Sequence, residues 1–315
     1  MEITSQLVKT LRDKTSAGMM DCKNALKECG GDLEKAIDWL RQKGLMTARK
    51  RADRATKEGL VLTAISADGR SGAVVELNSE TDFVSKMESF REITESLAGF
   101  LAAEPNTPAD VDALLQCKCP KCGETFFEVV NRARGTTGEN MRLRRFKVLR
   151  AGGPDGLVRG YVHSGGKIGV LVELKAEKIG PEVEELAHDL AMHVAASNPM
   201  ALRVEHVSPD FVEKEKAVQH GKAQEELDEK AEKARKTGKP VPPPSPEMLA
   251  KIVEGKMRKV YTELVLHEQI FIKDQKMTVS GVIADACKKM GPVELLAFAR
   301  FQLGEEVEGE KTEAE

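Results

Sequence analysis

The chain has 315 residues, 41% of them apolar and 31% charged, with a net charge of −3. That length holds two or three domains around a real core. The near-neutral balance gives no general pull toward nucleic acid, and 4% aromatics leaves little surface for stacking bases. The opening Met1-Glu-Ile-Thr-Ser-Gln6 has no basic stretch followed by an apolar one, and no apolar run reaches membrane-spanning length. The expectation is therefore a cytoplasmic protein with no membrane partner. Its six cysteines are then reduced thiols, metal ligands or redox sites rather than structural disulfides.

Residues 1–55 read as a small helical module on a basic tether. Ile3, Leu7 and Leu11 recur at helical spacing, a turn follows at Thr15-Ser-Ala-Gly18, and Met19, Cys22, Ala25 and Leu26 mark a second helix. Gly30-Gly31 stops it. Asp32 caps a third helix carrying Leu33, Ala36, Ile37 and Leu40, with Gly44 just past its end and Trp39 the largest side chain available to the core. Gly18, Met19 and Met20 suit either turn and core packing or contact with a partner, since Met adapts to both. From Thr47 to Lys57 apolar content falls and positive charge rises, as in a tether.

The next part states itself twice. Gly59-Leu-Val is matched by Gly156-Leu-Val, and Gly72-Ala-Val-Val-Glu-Leu77 by Gly169-Val-Leu-Val-Glu-Leu174, at one common offset. Each copy reads as two strands about a Gly-rich turn, then an amphipathic helix: Phe90, Ile93, Leu97 and Leu101 in the first, Val183, Leu186, Leu190 and Val194 in the second. A third strand echoes as well, Arg145-Phe146 resembling Arg300-Phe301. The fold class is α+β, with subdomain N over 56–150 and subdomain C over 151–207 and 265–304, each a small antiparallel sheet backed by helices.

The copies diverge where the first reads Glu76-Leu-Asn-Ser-Glu-Thr-Asp-Phe-Val84; Lys178-Ile179 stands where Thr81-Asp82 would be. The strand ends by pushing Asp82 and Phe83 outward, and Ser85-Lys-Met-Glu88 has the form of a capping box opening the next helix. Phe83 either folds back into the core, as aromatics mostly do, or is presented to a partner from a loop held at both ends. In the second hairpin His163 takes the place of Ser66, structural or in contact. His193 lies on a helix beside apolar residues and reads as core or interface. Ser164-Gly-Gly-Lys-Ile-Gly169 is not a phosphate loop: the pattern needs Gly six residues before the Lys and Ser or Thr after it, and Tyr161 and Ile168 stand there.

A Cys-rich insertion occupies 116–137. Two thiolates spaced as Cys119 and Cys122 can grip one tetrahedral metal from a tight turn, with Cys117 as a third ligand, so zinc is the cofactor considered. The rival reading is a surface thiol cluster open to oxidation or to another chain. Residues 208–264 then form a helical hairpin arm. Phe211, Val218, Leu227, Ala231 and Ala234 make a thin stripe on one helix, Pro-rich 237–246 breaks it, and Leu249, Val253, Met257, Val260 and Leu264 line the return. Residues 305–315 are acidic, poor in apolar side chains and expected to be disordered.

Two signatures carry a resemblance. Leu11-Arg-Asp-Lys-Thr-Ser-Ala-Gly-Met-Met-Asp-Cys-Lys-Asn-Ala-Leu26 resembles the first signature of translation elongation factor Ts, the nucleotide exchange factor for the GTPase EF-Tu. Glu76-Leu-Asn with Thr81-Asp-Phe-Val84 resembles the second. Ser16 replaces a usual Gly and Ser79 a usual Cys; Gly138 to Phe146 and Leu190 to Ser197 also resemble family sequence, whereas typical members lack the cysteine element. The resemblance covers nearly the whole chain.

It implies a UBA-like three-helix module docking on the G domain of EF-Tu, here through Gly18, Met19 and Met20. It further implies that Thr81, Asp82, Phe83 and Val84 dislocate Mg²⁺ from EF-Tu, with His163 touching the G domain nearby. The arm would serve self-association and a remote contact with EF-Tu. The implied activity is guanine nucleotide exchange with no chemistry of its own, and no clustered nucleophile, base and orienter argues for an enzyme. The alternative is a zinc- or redox-linked interaction protein built on Cys117, Cys119 and Cys122.

Overall fold

The computed structural model describes residues 3–15, 17–40, 42, 54–236 and 245–306. Most of the expected tether, residues 237–244 of the Pro-rich turn and all of the acidic tail beyond 306 lie outside the described residues. The N-terminal unit has three helices: α1 (Ser5–Thr15), α2 (Met19–Glu28) and α3 (33–40). Left-handed Gly30 and Gly31 turn the chain between the last two, and Asp32 Oδ1 accepts the N–H groups of Glu34 and Lys35 at 3.1 Å each. Val8, Leu11, Cys22, Ala25, Leu26 and Ala36 form a core of their own, with Trp39 packed on its edge.

Two copies of one scaffold follow. The first runs β1 (Glu58–Ile65), β2 (Ser71–Ser79), α4 (Asp82–Ser85), α5 (Glu88–Ala103), α6 (Val111–Gln116), α7 (Phe126–Thr137) and β3 (Met141–Arg150). The second runs β4 (Gly156–His163), β5 (Ile168–Ala176) and α8 (Pro181–Ser197). It then sends out the arm, α9 (Pro209–Lys236) and α10 (Pro246–Leu264). It returns through β6 (Ile270–Phe271), β7 (Asp274–Thr278), α11 (Val279–Met290) and β8 (Val293–Gln302). The sheets have orders β1-β2-β3 and β4-β5-β8, all antiparallel, and each central strand has a register shift at the same place, Glu76/Leu77 and Glu173/Leu174.

That shift corrects the third-strand match. Val75 faces Phe146 and Val172 faces Phe298, while Glu76 faces Arg145 and Glu173 faces Ala297. The counterpart of Arg145-Phe146 is therefore Ala297-Phe298, three residues before Arg300-Phe301. A dipeptide repeated along a strand identifies the strand, but its register is fixed by pairing across the sheet.

Strand alternation places one set of side chains on each face. Val61, Val74, Leu149, Val158, Leu171 and Ala299 meet between the two sheets. Leu60, Leu62, Val75 and Leu77 turn the other way onto Phe90, Leu97, Leu101 and Phe126. In the second copy Val170, Val172 and Leu174 pack on Leu186, Leu190 and Ile283. The architecture is helices, sheet, sheet, helices. The repeated Gly72 and Gly169 stand where the sheets approach: a Cβ on Gly72 would lie 2.7 Å from Val158 Cγ1, and one on Gly169 2.7 Å from Val61 Cγ1.

At 1.5 Å per residue the arm helices are about 42 and 28 Å long. Their root is built in: Ala201, Val207 and Val265 form a cluster with Phe211, Val212 and Tyr261. Beyond the root, only Gln219, Ala223 and Met257 of the two helices are buried, and Val218 of the expected stripe is half exposed.

Candidate functional site

The diverged loop leaves β2 from a fully buried strand, so its starting point is fixed. Ser79 Oγ donates to the Thr81 carbonyl at 2.9 Å. Thr81 stays extended (φ −125°, ψ 159°), and its N–H and hydroxyl both donate to the Glu139 carboxylate, at 3.0 and 2.6 Å. The clasp is returned one residue back, where Asn140 N donates to Glu80 Oε1 at 2.6 Å and Arg54 pairs with Glu80 at 3.4 Å.

From this anchorage rises α4, a single turn. Val84 is buried in the core beneath it, whereas Phe83 is 80% exposed, the highest exposure among the large apolar side chains described. What the turn offers outward is thus Asp82 and Phe83, with Val84 as the root. Asp82 pairs with Lys86 at 2.5 Å; that hydrogen bond, helped by the charge of Lys167, holds its carboxyl below the usual carboxylate range.

The expected capping box does not form. Ser85 already closes α4, its hydroxyl donating back to the Asp82 carbonyl at 3.0 Å, and α5 starts at Glu88 after Met87, which gives no side-chain cap. The helix signal was real, but the preceding turn had consumed the hydroxyl.

The second copy brings its hairpin tip to the same end of the molecule. Gly166 O accepts Val61 N at 2.7 Å, and Lys167 pairs with Glu58 at 2.6 Å. Glu58 faces Ser79 across the first sheet, just before the diverged loop. His163, exposed at the start of this tip, shares a 2.9 Å hydrogen bond between its Nδ1 and the Tyr161 hydroxyl. His193 is a core residue: fully buried, it accepts Ile272 N at Nδ1 (3.2 Å), so its proton sits on Nε2, toward Gln269 Oε1 at 3.0 Å. Burial holds its pKa below the ordinary histidine value.

Met19 and Met20, exposed at 49% and 65%, stand with Gly18 at the start of α2 in the N-terminal unit, on the far side of the undescribed part of the tether. The sites therefore form two groups, one on the doubled sheet and one on the module.

Sequence reasoning missed a buried charge network behind the loop. Glu76 is fully buried; it accepts Arg145 Nε at 2.7 Å, Arg144 Nη1 at 3.2 Å and Gly304 N at 3.2 Å. Arg145 continues to Glu305 at 2.8 Å and lies over the Phe301 ring at 4.1 Å. Glu305, assigned by sequence to the tail, is thus held in place, because a buried carboxylate and two arginines demand a further acidic partner.

The cysteine insertion sits on α5 and α7. Cys119 is buried, Cys122 exposed, and the turn between them closes with Gly123 N donating to Cys119 O at 2.9 Å, Gly123 being left-handed. Burial opposes ionisation of Cys119, yet hydrogen bonds from the Lys121 and Cys122 N–H groups, the Cys122 thiol and Ser96 leave it below the ordinary thiol range. The Cys117 thiol donates to Ala113 O at 3.4 Å. Among the described residues no three His, Cys, Asp or Glu side chains gather in a metal-binding group.

The site thus consists of an acidic and an exposed aromatic side chain held out together on a braced, doubled scaffold. A family model described as Elongation factor TS matches residues 80–305. Curated relatives called elongation factor Ts align along almost the whole chain. The Sphingopyxis alaskensis protein is 44% identical and that of Rhodospirillum rubrum 42%, each over 99% of this chain and 96% of the relative. The Nitratidesulfovibrio vulgaris protein is 42% identical over 99% of both. The chain belongs to the elongation factor Ts family, and its role lies in translation elongation. Among the described residues no helix is long and apolar enough to cross a membrane.

Proposed function

We propose that the chain is a guanine nucleotide exchange factor for EF-Tu, and that Asp82 and Phe83 are its wedge. The observation that carries this reading is the 80% exposure of Phe83 on a turn rooted by Val84. Free in water, such a ring gains by burial in a partner. Inserted between helices of the G domain near the Mg²⁺ site, Asp82 and Phe83 displace the ion. The diphosphate then loses its neutralising charge, so GDP leaves. GTP, the more abundant nucleotide, rebinds. The factor need only prefer the nucleotide-free partner, and the coupling is reciprocal.

His163, at the same end of the doubled sheet, is a second contact with the G domain. Gly18, Met19 and Met20 dock the module, and the arm serves a remote contact or self-association. The test is release of fluorescent GDP from EF-Tu. Phe83→Ala is expected to slow stimulated release about thirtyfold, the scale of an aromatic hot spot, with the fold intact. Unchanged release would remove Phe83 from the mechanism.

A second reading applies to the insertion alone, favoured by the mutual approach of the Cys119 and Cys122 thiols: a thiol pair, Cys119 the more acidic of the two, able to hold zinc or to form a disulfide. Metal content of purified protein, compared with the Cys119→Ser/Cys122→Ser variant, separates the two. Zinc lost with the cysteines supports the metal; no zinc in either leaves the dithiol.

A further inference from the structure

The clasp on Thr81 suggests a role for a residue that no contact reading of the loop would select. Thr81 is the N-cap residue of α4, yet its hydroxyl caps nothing in that turn. The hydroxyl goes instead to Glu139 at 2.6 Å, and the adjacent N–H goes to the other oxygen of the same carboxylate at 3.0 Å. Glu139 follows Gly138, the left-handed cap of α7 (φ 78°), and precedes β3, so its own backbone is held on both sides. A charge-assisted, two-point hydrogen bond fixes direction as well as distance.

The second copy is an internal control. Ser79 faces Met141 at the end of the first sheet and Ala176 faces Val293 at the end of the second, so Glu139 corresponds to Gly291 and Asn140 to Pro292. Glycine has no side chain to accept from the loop, and proline has no N–H to return to the acidic residue there. Both halves of the clasp are missing from the copy that presents Lys178-Ile179 and no exposed aromatic. Only a backbone bond, Glu177 N to Pro292 O at 3.2 Å, joins the corresponding segments.

We infer that Glu139 is a positioning residue for the exchange reaction: through Thr81 it sets the direction in which Asp82 and Phe83 leave the sheet. This rests on the wedge reading above, and the experiment separates the two. Glu139→Gln and, from the other side of the bond, Thr81→Val are made in the full chain, each with and without Phe83→Ala.

Two quantities are read: stimulated GDP release, and amide hydrogen exchange of the free protein. Glu139→Gln is expected to slow stimulated release about tenfold, the scale of one charge-assisted hydrogen bond, and to add less than about twofold once Phe83 is already alanine. The Thr81 amide should exchange about tenfold faster in Glu139→Gln, while Val74 and Val75 in the buried strand keep their protection. Thr81→Val should reproduce the loss of release.

An equal loss in both backgrounds would show that Glu139 acts elsewhere than through Phe83, and unchanged Thr81 protection would show that it does not hold the loop; either overturns the inference. Normal release by Phe83→Ala alone strikes the wedge reading instead. The amide measurement, made without the partner, still decides whether Glu139 holds the loop.

Discussion

The two copies of the repeat share their backbone down to the register shift in the central strand, and they differ in where charge has been added. In the first copy Glu76, just before the shift, is sealed in and neutralised by Arg144 and Arg145. In the second, Glu173 occupies the same place opposite Ala297, and burial with no compensating cation raises its pKa above the usual carboxylate range. At the end of the same strand the first copy has the Thr81–Glu139 clasp and the second has Gly291. A scaffold built from apolar alternation is thus common property. Ion pairs occur in both copies, but the buried Glu76–arginine network and the Thr81–Glu139 clasp belong to the copy whose loop is presented. The clasp ties that loop to the start of β3, and the network ties β2 and β3 to the segment after β8.

The sharpest way to break this comparison is to remove the carboxylate from each copy. Glu76→Gln leaves Arg144 and Arg145, with side chains only 14% and 17% exposed, facing each other across an uncharged amide. It also weakens the hold on Gly304. Breaking a buried ion pair on one side costs about 3 kcal/mol or more, so the urea midpoint should fall accordingly and the 301–306 segment should lose amide protection. If Glu76→Gln costs no more than Glu173→Gln, the arginine pair is not what separates the copies.

What could be read in the sequence follows from which forces are local. The doubling was legible because Gly72-Ala-Val-Val-Glu-Leu77 and Gly169-Val-Leu-Val-Glu-Leu174 must each bury both faces of a central strand and let the other sheet approach at the glycine. Asp82 and Phe83 were legible as a break in that pattern. The clasp was not, since Thr81 and Glu139 are 58 residues apart and neither lies on a periodic stripe. The same holds for Glu76 with Arg145, 69 residues apart. Periodicity tells which face a side chain takes but not which polar group meets it there. The one-turn α4 is hidden for another reason: four residues are too few for a helical period, so the pattern alone puts the start of α5 at Ser85 rather than at Glu88.

The finer test of the comparison is the pH dependence of the second carboxylate. The pKa of Glu173 in the folded chain lies above its unfolded value because burial disfavours the anion. The folded state therefore holds more protons than the unfolded one between those two values. Stability from this group rises as pH falls through the folded pKa, and is complete below the unfolded one, about 4.3 for a model Glu. At neutral pH the ionised side chain is instead a liability. Glu173→Gln, which keeps the shape and removes the charge, should then raise the unfolding free energy measured by urea titration at pH 7 by no more than about 1 kcal/mol, and the gain should shrink as the pH is lowered through the folded pKa. The opposite sign at pH 7 would mean that a cation reaches Glu173 after all, and the two copies would then differ in the identity of the partner rather than in its presence.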